Sequence, residues 1–172
     1  MTSTAIIWPE KYTPGYTDNW VSNEVIVVGL SAADIWPLVN DITKWESYYD
    51  NCSQITPPKS GGTLKQGDEF SFSTFGFPPL PCTCDEAVRP SQGIPGRLAW
   101  SAQAGEGDKA MDVYHAWIIE DLDKGRVRIL TQESQIGKPA LELAAKKPNP
   151  MLLGHQSWLD GLVNAAREAK QA

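Results

Sequence analysis

The chain has few of the residues that mark disulfide-bonded proteins or zinc sites. It contains three cysteines in 172 residues, and the spacing of Cys82 and Cys84 is typical of neither a disulfide framework nor a zinc site with four cysteine ligands. The two could hold a soft metal together with a histidine, but the pattern for that is weak. We therefore expect Cys52, Cys82 and Cys84 to be reduced thiols, and we expect no metal site.

Basic residues and long hydrophobic runs are also scarce. The chain has 15 Lys and Arg against 21 Asp and Glu, a formal net charge of -6, and none of the basic residues cluster. Nucleic acids and anionic membrane surfaces require a clustered basic face, so both are excluded as partners. No window approaches the length of a membrane span, and the N-terminal segment lacks the pattern of a signal peptide. These absences predict a cytoplasmic protein without membrane insertion.

The common catalytic and cofactor motifs are missing as well. The sequence contains no phosphate-binding loop, no G-x-S-x-G elbow and no H-E-x-x-H helix. We therefore expect no cofactor. A length of 172 residues without a linker or repeat indicates one domain.

Tryptophan is frequent instead, with seven tryptophans among sixteen aromatic residues. Residues 1–23 combine Pro9, Pro14 and Gly15 with Trp8 and Tyr12, which predicts an ordered arm packed on the domain. Residues 24–172 are then expected to form a single domain. The remaining aromatic side chains need an apolar interior there.

The middle of the chain has the order strand, two short helices and a series of strands. Residues 24–30 are typical of a strand, and Ser31 with Asp34 forms a capping arrangement before a helix that Pro37 should end or kink. Asp41 can cap a second short helix. From residue 67 onward, alternating patterns separated by Pro and Gly predict antiparallel hairpins.

The clearest hairpin covers residues 111–137 and places ionisable side chains on one face of the sheet. His115 and Trp117 share a face of its first strand, and Glu133 lies on the corresponding face of the second. If Trp117 pairs with Ile129, His115 lies diagonally from Glu133, within reach of its side chain. Such a carboxylate would fix the tautomer of the imidazole and raise its basicity.

Residues 149–170 are predicted to form one amphipathic helix. Asn149 can cap it, and Pro150 fits its first position. Its apolar stripe contains His155 together with Trp158, Leu159 and Leu162. A histidine in this stripe either binds a ligand or satisfies a hydrogen bond in the core.

This order resembles the START-like superfamily, also described as SRPBCC or Bet v 1-like, including its polyketide cyclase/dehydrase-type proteins. The resemblance runs from about Glu24 to Ala172. It rests on the segments ADIWPLVNDITKW, LAWSAQ, YHAWIIE, TQESQ and HQSWLDGLVNAARE. It implies an α+β helix-grip fold, in which a curved antiparallel sheet wraps around the long C-terminal helix and a deep apolar cavity lies between them.

The expected ligand-contacting residues follow from these faces. His115, Glu133 and His155 would orient the ligand, and the two residues of the sheet pair are also the best catalytic candidates. The other expected contacts are the apolar and aromatic side chains Trp36, Trp45, Tyr49, Phe72, Trp100, Trp117, Trp158, Leu159 and Leu162. Each of the tryptophans also has the ordinary interpretation of core packing.

Three functions remain open at this point. The first is a soluble protein, monomeric or homodimeric, that binds a hydrophobic and ring-containing small molecule in the cavity. The second is a cofactor-independent enzyme similar to polyketide cyclases or dehydratases, with His115 and Glu133 as its acid–base pair. The third is an interaction domain, as in the co-chaperone branch of the superfamily, with the aromatic arm as its docking element.

Overall fold

The computed structural model describes residues 3–172. Within this range seven strands form one antiparallel sheet in the order β1-β7-β6-β5-β4-β3-β2. The predicted α+β helix-grip fold is confirmed. The strands are β1 (Asn19–Val28), β2 (Cys52–Thr56), β3 (Glu69–Thr74), β4 (Leu80–Val88), β5 (Gly96–Ala104), β6 (Met111–Leu122) and β7 (Arg126–Ile136), and the α-helices are α1 (Ala32–Val39), α2 (Lys138–Ala145) and α3 (Pro150–Gln171).

The two short helices after β1 form where local signals predict them. The Ser31 hydroxyl accepts from the backbone N–H of Asp34, whose carboxylate in turn accepts from the N–H of Ser31. Pro37 lies inside α1, which ends two residues later at Val39. The second short helix is a 3-10 helix, Ile42–Ser47, capped by the side chain of Asp41.

The long C-terminal helix α3 lies against the concave face of the sheet. The side chain of Asn149 accepts from the Met151 N–H at 3.0 Å and caps its first turn. A methyl group at Gly161 would lie 1.9 Å from the Tyr48 carbonyl oxygen. The helix therefore approaches the segment after α1 more closely than any residue with a side chain allows, although glycine inside a helix costs about 1 kcal/mol relative to alanine.

The segment before the sheet packs on its convex face. The Trp8 and Tyr12 rings lie 5.7 and 5.3 Å from the ring of Tyr114. The buried Arg97 guanidinium donates to the carbonyl oxygen of Ser3 at 2.8 Å. Strand β1 begins at Asn19, so the last five residues of the expected arm, 19–23, belong to the sheet.

Helix α2 is an element that the sequence patterns did not predict. It begins after Gly137, whose φ of 127° ends β7. Only Ala140 and Leu143 of its eight residues are buried, which is too few to produce a clear helical stripe. No helix in the described part of the chain is both long and apolar enough to span a bilayer.

Candidate functional site

Three polar side chains from three elements meet in the interior, and we refer to His115, Glu133 and His155 as the His-Glu-His cluster. His115 Nδ1 lies 2.9 Å and His155 Nε2 lies 3.2 Å from the same carboxylate oxygen, Oε2 of Glu133. Each of the three residues is at most 5% exposed. The predicted convergence of these groups is therefore present in the fold.

The register of the hairpin differs from the predicted one. Trp117 pairs with Thr131 instead of Ile129, and His115 lies directly opposite Glu133 instead of diagonally from it. The turn is shorter than expected, with β7 beginning at Arg126. Because the register differs by two residues, every side chain keeps its predicted face.

A chain of side-chain amide hydrogen bonds, which we refer to as the relay, ends on the second carboxylate oxygen of Glu133, Oε1. Gln135 donates to Oε1 of Glu133. Asn19 Nδ2 donates to Oε1 of Gln135 at 2.8 Å, and Asn149 Nδ2 donates to Oδ1 of Asn19 at 2.8 Å. Since Asn149 also caps α3, the relay ties the start of the helix that carries His155 to the carboxylate that His155 contacts. The sequence interpretation missed Gln135 and Asn19.

The two histidines differ in how their second ring nitrogens are used. His115 Nε2 lies 2.7 Å from the hydroxyl oxygen of Thr131, so both of its nitrogens have partners. His155 Nδ1 is buried and has no hydrogen-bond partner among residues 3–172. A buried ring nitrogen without a partner is an available donor or acceptor for a further group.

The charge state of the cluster follows from its burial. Removal from water lowers the pKa of His115 to about 4, against the opposing attraction of Glu133. Burial acts to raise the pKa of Glu133, but attraction to His115 and the hydrogen bonds from both histidines outweigh it and hold that pKa below its usual range. At neutral pH the cluster therefore contains a carboxylate and a neutral His115 imidazole.

Aromatic rings surround the cluster closely. The Trp100 ring centroid lies 4.6 Å and the Trp117 centroid 5.6 Å from that of His115. Trp158 of α3 contacts them from the other side and stacks on Tyr49 at 4.5 Å. These rings fill the place where the resemblance implies a deep cavity, and only about 20 Å³ remains beside the cluster. That space accommodates about one water molecule, so the deep cavity is absent from this conformation.

The predicted contact residues divide into two groups around this small space. Six of them border it, namely Phe72, Trp100, His115, Glu133, His155 and Trp158. The other six are buried without bordering it, namely Trp36, Trp45, Tyr49, Trp117, Leu159 and Leu162. Trp36 lies farther away and borders a shallow surface pocket beside Pro37 and Arg89.

A second and much larger space opens at the surface, and we refer to it as the cleft. Its volume is about 700 Å³. It lies between the β3–β4 connection, the β5–β6 connection and α2, and its walls are Phe77, Pro78, Pro79, Leu80, Ala104, Gly105, Asp108, Lys109, Met111, Lys138, Pro139, Glu142, Leu143 and Lys146. The sequence interpretation missed this site because it did not predict α2.

The cleft and the His-Glu-His cluster are separated by a thin apolar partition. Leu80 borders both the cleft and the 20 Å³ space. Met111, Leu143 and Met151 pack in one hydrophobic cluster, with Phe75 against it. The partition thus consists largely of flexible or half-buried side chains.

The chain matches several solved structures but no family model and no curated protein. One match is the crystal structure of the hypothetical protein jhp0584 from Helicobacter pylori, with 46% identity, a TM-score of 0.90, and coverage of 96% of this chain and 98% of that one. A second is a norcoclaurine synthase point mutant from Thalictrum flavum in complex with a transition state analogue, with 13% identity, a TM-score of 0.61, and coverage of 88% and 96%.

A third match is the di-domain ARO/CYC protein BexL from the BE-7585A biosynthetic pathway. It has 10% identity and a TM-score of 0.60, and the match covers 87% of this chain and 46% of that one. At these low identities the second and third matches establish the fold alone. The chain has a Bet v 1-like helix-grip fold and belongs to the same family as the hypothetical protein jhp0584 from Helicobacter pylori.

Proposed function

We propose that the protein binds a hydrophobic small molecule in the cleft. The observation that carries this proposal is the cleft itself, whose volume of about 700 Å³ lies within the range of small-molecule sites. Its walls include Phe77, Leu80 and Leu143, while charged groups such as Lys109 and Glu142 lie at the same site. Apolar walls with a few charged groups favour a ligand with an apolar body and one polar end.

The partition offers such a ligand a route toward the interior. Methionine side chains adapt their shape at little cost, and Met111 and Met151 both belong to the partition. Movement of these side chains and of Phe75 would join the cleft to the space beside His155. A ligand whose body fills the cleft would then direct its polar end at the His-Glu-His cluster.

The fold comparisons support a small-molecule role in general terms. One protein with this fold was determined with a transition state analogue, and another comes from a biosynthetic pathway. Their identities to this chain are 13% and 10%, so the ligand class is taken from the displacement experiment.

The experiment is displacement of the fluorescent dye 1-anilinonaphthalene-8-sulfonate from the folded protein by a panel containing a fatty acid, a flavonoid, a quinone and a polyketide. Saturable displacement by at least one class is expected. The variant Leu143→Glu places a charge in the cleft wall and should weaken that displacement at least about tenfold. Leu141→Glu, on the exposed side of the same helix, is the matched control and should leave it unchanged.

Two outcomes contradict the proposal. One is an absence of displacement by every class in the panel. The other is equal binding to the wild type and to a cooperatively folded Leu143→Glu variant. Should that variant fail to fold, Leu143→Ala tests the same wall with a smaller change.

A second candidate function is acid–base catalysis on a carbonyl substrate by the His-Glu-His cluster. The observation in its favour is geometric: Glu133 Oε2 lies 2.9 Å from His115 Nδ1 and fixes the ring. A carboxylate that fixes the orientation and tautomer of an imidazole positions it for proton transfer. If a panel compound is cyclised or dehydrated, His115→Ala and Glu133→Gln should abolish product formation measured by mass spectrometry and preserve affinity. Equal loss of both would leave binding as the function.

A further inference from the structure

Both histidines of the chain converge on one buried carboxylate. The sequence contains two histidines, His115 on β6 and His155 on α3, 40 positions apart. His115 Nδ1, Glu133 Oε2 and His155 Nε2 all lie within 4.8 Å of one another. Two neutral imidazoles and one carboxylate are a recurrent ligand set for divalent transition metals.

The distances in the cluster are close to those of a metal site. Metal–nitrogen and metal–oxygen bonds of about 2.0–2.1 Å place neighbouring tetrahedral ligands about 3.3 Å apart. The Nδ1–Oε2 and Nε2–Oε2 distances are 2.9 and 3.2 Å. Each of these two pairs therefore needs only a few tenths of an ångström of expansion to match neighbouring ligands of one ion.

Groups outside the three side chains also fit this interpretation. Metal-bound histidines usually donate their second N–H to an oxygen, and metal-bound carboxylates are usually hydrogen-bonded themselves. For His115 this oxygen is the Thr131 hydroxyl, 2.7 Å from Nε2; His155 Nδ1 has no such partner among residues 3–172. For the carboxylate the partner is Gln135, which donates to the Glu133 oxygen that does not face the histidines.

The electrostatic environment favours a cation. Glu133 is buried, and among residues 3–172 its ion pairs are with the two histidines and not with a lysine or arginine. A buried carboxylate with no lysine or arginine beside it attracts a cation, because solvent ions screen a buried charge only weakly. Beside it lies the 20 Å³ space, which is also lined by Cys82 and provides room for a fourth ligand of about the size of water.

We propose that His115 Nδ1, Glu133 Oε2 and His155 Nε2 bind one divalent first-row transition metal ion. The imidazole nitrogens select against Mg²⁺ and Ca²⁺, which prefer oxygen ligands. The ion's fourth position faces the small space behind the partition. None of the three residues lines the cleft, so failure to bind a metal and failure to displace the dye from the cleft are separate experimental outcomes.

The test uses the full chain stripped of metal with a chelator and then titrated with Co²⁺ alone, followed by its visible d–d absorption. The expected result is saturation at one ion per chain, with the intensity of a four- or five-coordinate site. Zn²⁺ added afterwards should displace Co²⁺ and bleach the spectrum, because Zn²⁺ binds N/O sites more tightly. Mg²⁺ should not.

Three variants distinguish the metal ligands from the residues that only contact those ligands. Glu133→Gln keeps the shape and the amide relay but removes the charge, and it should weaken Co²⁺ binding by more than about 100-fold. Thr131→Val should weaken it by about 10- to 100-fold, as outer partners do. Glu24→Gln, the same substitution at an exposed carboxylate that pairs with Arg128, is the matched control and should bind as the wild type does.

The proposal is overturned if the wild type shows no saturable Co²⁺ spectrum and no metal-dependent rise in its thermal unfolding temperature. It is equally overturned if cooperatively folded Glu133→Gln binds Co²⁺ as tightly as the wild type. If Glu133→Gln does not fold, His155→Gln supplies the same comparison. If the wild type binds no Co²⁺, or if the variant binds it as tightly as the wild type, the three side chains form a hydrogen-bonded cluster and not a metal site.

Discussion

The interior beside the His-Glu-His cluster, which α3 helps to enclose, is packed far more tightly than the cleft at the surface, which α2 borders. About 20 Å³ remains beside the cluster, against about 700 Å³ in the cleft. Trp45, Trp100, Trp117 and Trp158 are among the largest fully buried side chains. Helix α2, which borders the cleft, has eight residues and two buried side chains.

The two regions differ in free volume because they are built from different kinds of residue. Large rings on β5, β6 and α3 meet at close distances and leave no freedom to rearrange without loss of contacts. The cleft is bounded by a short helix and by connections that contain Pro78, Pro79 and Gly105. Rigid packing thus holds the polar groups in place, and the loosely packed region provides the room that a ligand needs.

The largest expected effect comes from removing a ring beside the cluster. Trp158→Ala should lower the free energy of unfolding by about 3–5 kcal/mol, because Trp158 is 2% exposed and its neighbours cannot collapse into the void. Urea denaturation measures this value. Trp20→Ala, where the ring is 43% exposed, is the control and should cost less than about 1 kcal/mol.

Truncating a buried side chain beside the cleft should lower the free energy of unfolding by less. Leu143→Ala removes a buried side chain that borders the cleft, and we expect a cost of about 2 kcal/mol, at the lower end for such substitutions. Leu141→Ala, on the exposed side of α2, should remain within about 0.5 kcal/mol of the wild type. If Leu143→Ala costs as much as Trp158→Ala, the two regions do not differ in rigidity.

The cluster itself could be predicted from the sequence better than its surroundings. Period-two alternation placed His115 and Glu133 on one face, and helical spacing placed His155 on the buried stripe of α3. The predicted register is wrong by two residues, but a shift of two residues leaves every side chain on its predicted face of the sheet. The sequence could not show that Trp100, Trp117 and Trp158 fill the space, since this depends on side-chain volumes and rotamers in three dimensions.

The cleft could not be predicted for a different reason. Its wall α2 contributes only Ala140 and Leu143 to the core, which leaves no apolar period to detect. The relay through Gln135 and Asn19 could not be predicted either, because period-two alternation gives the face of a strand residue but not its hydrogen-bond partners. Gln135 is 2% exposed.

The histidine on α3 should contribute less to stability than the ring of Trp158. In protein kept metal-free with EDTA, His155→Leu should lower the free energy of unfolding by about 1–2 kcal/mol. The buried Glu133 loses a donor, and the apolar side chain offsets part of this loss. Glu168→Leu, at an exposed position of the same helix, is the control. A gain in stability would instead mean that His155 is retained for function at a cost to folding.

The smallest expected effect concerns the relay that links α3 to Glu133. Asn149→Ala removes the cap of α3 and the donor to Asn19, and it should cost about 1 kcal/mol. Asn149→Asp separates these two roles, because a carboxylate caps a helix well but cannot donate to the Asn19 oxygen at 2.8 Å. We expect Asn149→Asp to be less stable than the wild type by about 0.5 kcal/mol, with its Co²⁺ affinity lowered as well. If Asn149→Asp equals or exceeds the wild type in both measurements, Asn149 is a helix cap alone, and the packing of the rings holds the cluster without help from the relay.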